Sequence, residues 1–64
     1  MRITVFQRMM ADEFGPGRAA TLARDHVFSG LGGLTVEQAL EAGIPAKEIW
    51  QTVCAAFDVP AERR

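Results

Sequence analysis

The chain has 64 residues, 48% of them hydrophobic, and a formal net charge of −1, which fits a folded domain and excludes an intrinsically disordered segment. That length sets a single domain over residues 1–64, burying only roughly 60% of the surface its unfolded form exposes, and Cys54 as the sole cysteine excludes a disulfide or cysteine-rich zinc framework to support it. No run reaches the ~18–20 apolar residues a bilayer span needs, and the charge is too balanced to point to nucleic acid.

The first predicted helix covers about residues 5–14. Thr4 and Gln7 make a capping-box pattern, while Phe6, Met9, Met10 and Phe14 fall on one side of the helix. Gly15-Pro16-Gly17 ends it, since glycine tolerates a left-handed cap and proline cannot continue the ladder. A second helix is predicted over about 17–28, with Pro16 in its tolerated first turn. Ala19, Ala20, Leu22, Ala23, Val27 and Leu31 share its inner face, and the alanines admit a close neighbour. Ser29–Leu34, "SGLGGL", stops that helix. A third helix over about 36–42 is announced by a second capping box, Thr35 with Gln38, and closed by Gly43. The fourth, about 46–57, starts near Pro45 and carries an apolar stripe of Ala46, Ile49, Val53, Ala56 and Phe57, flanked by Trp50 and Cys54. Residues 59–64 are expected to turn and fray. The brief alternation in Met1–Phe6 has no partner, so no strand is expected. The predicted fold class is all-α, a compact bundle of three to four short helices.

The stretch most like a motif is Ala23–Thr35, "ARDHVFSGLGGLT". On a helix, Asp25 and His26 point about 100° apart, so they do not form an acid–base dyad. His26 is expected to be a structural histidine, turned inward and hydrogen-bonded to a carbonyl or cap. Metal binding would need further ligands, and Cys54 is the only other soft candidate, so no metal site is expected. Cys54 has no cation one turn away to lower its pKa, which leaves no candidate catalytic residue. "GLGG" lacks the lysine and Ser/Thr of a phosphate loop and follows no strand, so no cofactor is expected.

Two features point to partners. The last two predicted helices meet at Gly43-Ile44-Pro45 in a helix-turn-helix-like corner, with Ala39, Gly43 and Ile49 spaced for a tight crossing. The fourth helix, however, begins with Lys47, Glu48 and Gln51, behind Glu37 and Glu41, and so lacks the cations that hold phosphates. Phe28 and Trp50 lie off their helices' apolar stripes. They are either packed by a third neighbour or, if exposed together, a partner surface for another protein or a homo-oligomer.

The order and spacing of "LARDHV", "LGG", "TVEQALEAG", "IW", "VC" and "DVPAERR" resemble a family of small actinobacterial proteins known as domain of unknown function 3046. The resemblance runs from "MRIT" to "DVPAERR" and departs at Leu34, where the family is associated with an arginine after the two glycines, which argues against an anion site in this loop shared across the family. It implies a short helical cytosolic protein, encoded in many relatives near the recombinase and its regulator. Taken together, these readings predict a non-enzymatic, cytoplasmic protein-interaction or regulatory module. The alternative is a helix-turn-helix nucleic-acid binder linked to DNA recombination or repair, against which the charge argues. One cysteine and no export signal accord with the cytoplasm.

Overall fold

A computed structural model describes residues Met1–Arg64. The elements run α1 (Ile3–Phe14), α2 (Pro16–Asp25), β1 (Val27–Phe28), a 3-10 turn (Ser29–Leu31), β2 (Leu34–Thr35), α3 (Val36–Glu41), α4 (Ala46–Ala56) and a final 3-10 turn (Ala61–Arg63). The architecture is the expected bundle of short helices, but the expectation of no strand is corrected: β1 and β2 pair antiparallel, Val27 with Thr35 and Phe28 with Leu34.

α1 begins two residues before its predicted start. Its ladder opens with the Phe6 amide donating to the Arg2 carbonyl at 3.0 Å, and Arg2 is the N-cap with no side-chain capping bond. Thr4 is therefore already helical, and the Thr4–Gln7 capping box does not form. Gly15 alone joins α1 to α2. At φ 87° it takes a backbone that L side chains avoid, closing α1 through its amide to the Ala11 carbonyl at 2.8 Å. Pro16 then stands in the first turn of α2, as expected.

α2 ends at Asp25, three residues short of prediction. His26 is its C-cap, extended at φ −86°, ψ 124°, with its amide on the Leu22 carbonyl at 3.1 Å. Val27 and Phe28 leave the helix because their backbone pairs with Leu34 and Thr35. A β-branched and an aromatic residue suit that pleat, and the change of period turns Val27 to solvent and Phe28 into the core. Val27 is 55% exposed, not part of the inner face predicted for it.

The Thr35–Gln38 box forms in full: the Gln38 amide donates to Thr35 Oγ1 at 3.2 Å, and the Thr35 amide to Gln38 Oε1 at 3.0 Å. α3 closes with a Schellman pair, Ile44 amide to Ala39 carbonyl at 3.0 Å and Gly43 amide to Leu40 carbonyl at 3.1 Å, around Gly43 at φ 87°.

α4 is the core helix. Ala46, Ile49, Trp50, Val53 and Cys54 are buried along a stripe two residues wide, while Ala56, predicted inside, is exposed and Phe57 is half-buried. Trp50 meets Phe6 edge to face at 6.2 Å, a geometry that adds about 0.5–1.5 kcal/mol beyond area burial. At the other end Phe57 packs on Phe14 at 5.3 Å and Phe28 at 6.0 Å.

The C-terminal residues are tied down, contrary to the expected frayed tail. Val59 is buried, and its amide reaches back to the Cys54 carbonyl at 3.0 Å. Arg63 holds Glu13 of α1 bidentately, Nε to Oε1 at 2.9 Å and Nη2 to Oε2 at 3.2 Å. Arg64 folds its guanidinium over the carbonyl end of α4, donating to the Val59 and Cys54 carbonyls, where the helix dipole favours a cation.

Candidate functional site

Phe28 and Trp50, the residues proposed as a shared partner surface, are 3% and 2% exposed. Of the two alternatives, packing by a third neighbour holds for both side chains and the shared partner surface is corrected. Leaving α2 puts Phe28 on the inner face of a strand, and the stripe of α4 is centred closer to Trp50 than the sequence suggested. The Trp50 indole N–H is buried without a hydrogen-bond partner, so the ring contributes through packing against Phe6 rather than through its polar edge.

His26 is also corrected. It is exposed, not turned inward, because the chain has become extended at this residue. Its ring makes no hydrogen bond. It lies instead across the rings of Phe28 at 4.5 Å and Phe57 at 5.4 Å, covering the aromatic cluster from outside. Asp25 is engaged by Arg24, Nε to Oδ1 and Nη2 to Oδ2, each at 3.2 Å, and does not meet the imidazole. Cys54 is fully buried, and desolvation pushes its thiol above the usual cysteine value, with Arg64 opposing weakly. No three His, Cys, Asp or Glu side chains converge as a metal site would need.

The corner between α3 and α4 is built on Ala39 and Ile49, both fully buried. The outer face of α4 presents Lys47, Glu48, Gln51 and Ala55 to solvent. An open cleft runs beside it, floored by Phe28 and walled by Ser29, Gly30, Gln51, Thr52 and Ala55. Gly30 keeps the cleft open there, because a Cβ on it would lie 2.7 Å from Thr52 Cγ2 and force one of the two to shift. One lysine beside a glutamate gives this face little hold on phosphates.

The most apolar concavity lies elsewhere. A groove of about 360 Å3 opens between α1, α2 and α3. Phe6, Met10, Ala19 and Val36 form a buried floor. Ala11, Ala20, Ala23 and Leu40 form the walls, and Gln7 and Glu37 stand as the only polar rim. The small side chains of α2 create the space: Ala20 and Ala23 face the gap where a larger residue would fill it. The Arg24 guanidinium beyond one end is held by Asp25, which, with a smaller contribution from Glu37, raises its pKa above the usual arginine value. In the sequence the alanines of α2 mark a close approach, but the groove itself needs three helices in register and has no local signal. An apolar hollow with a sparse polar rim suits insertion of apolar side chains.

No helix is long and apolar enough to cross a membrane. A family model described as protein of unknown function, DUF3046, matches residues 1–62. No curated protein and no solved structure matches the chain.

Proposed function

The chain belongs to the DUF3046 family of proteins of unknown function, and on that premise we propose that it is a non-enzymatic, cytoplasmic protein-interaction module. The observation that supports this reading is the groove between α1, α2 and α3, whose lining is apolar except for Gln7 and Glu37. Its floor is already closed by Phe6 and Met10, at 1% and 3% exposure, so an inserted side chain would dock on a finished core rather than complete an unfolded one. Docking of this kind is driven by burial of apolar area, of which only the surplus over the cost of association and ordering shows as affinity, and the rim sets orientation more than affinity.

The test is capture of binding proteins from native cell extract by the full chain and by Ala20→Glu, which sets a carboxylate in the groove at an exposed helical position. The module reading expects a discrete partner that is lost on Ala20→Glu while the circular dichroism of the fold is unchanged. Capture of the same proteins by both chains would overturn it. A titration with duplex DNA accompanies the test, since binding that weakens steeply with salt would favour the nucleic-acid reading instead.

A further inference from the structure

We propose that the groove receives a second copy of this chain, with Ile3 of each copy seated in the groove of the other. The inference rests on the groove being an interaction surface and adds its occupant. Three large apolar side chains are exposed: Met1 at 49%, Ile3 at 51% and Val27 at 55%. Two of them, Met1 and Ile3, lie two positions apart, Ile3 opening α1 and Met1 just before it. Ile3 precedes the groove-lining residues Gln7, Met10 and Ala11 by four, seven and eight positions, the spacings that share one side of a helix. Knob and groove therefore lie on the same face of one molecule.

That placement decides the type of assembly. A knob and a hole on one face allow an isologous twofold pair in which each copy gives and receives, whereas a knob and a hole on opposite faces allow only a heterologous ring or an open filament. The charges agree with the fit: Arg2 flanks the knob, while Glu37 is the one charged group on the groove rim, so docking brings opposite signs onto the same face. A 64-residue chain also gains more than a large domain does from an added apolar contact, because its own core is small.

Sedimentation equilibrium of the full chain tests this. The mass is expected to rise with concentration from 7.0 kDa towards twice that value. Ile3→Glu places a carboxylate in the first turn of α1, where the helix dipole favours it, and so spares the fold. It is expected to weaken association at least about tenfold, the worth of one lost apolar side chain. Ala20→Leu fills the groove with the chain's own side chain and is expected to do the same. A wild-type chain that stays monomeric at every concentration overturns the inference, as does association that neither variant weakens. A monomer whose captured partner is nonetheless lost on Ala20→Glu leaves the module reading standing, and a monomer with no groove-dependent partner removes both.

Discussion

Gly30→Ala is expected to destabilise the protein although the backbone at Gly30 is open to any residue, since its φ is not positive. An added Cβ would stand 2.7 Å from Thr52 Cγ2, with Thr52 Cβ and Oγ1 both at 3.8 Å. Favourable carbon contacts lie at about 3.5–4.0 Å, so only the methyl offends, by roughly 1 Å. It does not swing away freely, because Thr52 Oγ1 donates to the Glu48 carbonyl at 3.1 Å and fixes the rotamer. Overpacking of this kind costs about 1–3 kcal/mol, against a gain of about 0.4–1 kcal/mol from a less flexible unfolded chain. The net expectation is a loss of about 1–2 kcal/mol, or roughly 4–8 °C in melting temperature per kcal/mol for a domain of this size. Urea unfolding followed by the fluorescence of Trp50, the single tryptophan, measures it. Thr52→Ser removes the methyl but keeps the hydroxyl, so the double variant Gly30→Ala/Thr52→Ser should recover most of the loss as a coupling energy. Gly17→Ala is the control: it sits in α2 with nothing within 4 Å of a Cβ, and should stabilise by about 0.5–1 kcal/mol. A Gly30→Ala variant as stable as wild type, or one that Thr52→Ser fails to restore, would refute the clash with the Thr52 methyl.

Three further outcomes are expected. Thr35→Ala should cost about 1 kcal/mol through the lost cap, whereas Thr4→Ala should be neutral or slightly stabilising because Thr4 caps nothing; thermal melts of the pair separate them. Asp58 follows α4 at φ 53°, a left-handed backbone that costs a non-glycine residue about 1–2 kcal/mol, part of which glycine's own flexibility offsets. Asp58→Gly should therefore raise stability by about 0.5–1 kcal/mol in a urea titration. The Arg63 hydrogen bond holds the Glu13 carboxyl below the usual glutamate range. Its stabilisation is therefore complete above the unfolded-state value and is lost as pH falls through the lower folded-state value. Glu13→Gln should flatten the acid limb of a melting-temperature profile and leave the neutral plateau nearly in place, as befits a surface pair.

What the sequence disclosed was chiefly what neighbouring residues settle among themselves. The Thr35–Gln38 box and the Gly43 closure of α3 are contained within a few residues, and both form as written. The end of α2 was hidden because nothing in "ARDHVF" breaks a helix. The break comes from pairing with Leu34–Thr35 across the glycine turn, and the strand-forming pair Val27-Phe28 was the one local sign of it. The order of the C-terminal residues is illegible for a similar reason: Arg63 finds its partner Glu13 fifty positions away, a contact no local pattern announces. Displacement of His26 and Phe28 from their assigned faces follows from the early end of α2, whereas Trp50 is buried because the stripe of α4 is centred nearer to it. The groove was legible only in part, since Ala20 and Ala23 signalled a close approach but not that α1 and α3 would leave the space open.

The function proposed for this chain depends on which face of the molecule another chain covers. Placing a benzophenone-bearing residue at Gln7, on the groove rim, or at Ala55, on the outer face of α4, and irradiating the full chain in native extract reads this directly. A discrete higher-mass adduct from position 7 and none from position 55 is the predicted result. Adducts from position 55 alone, or from neither position, would contradict it.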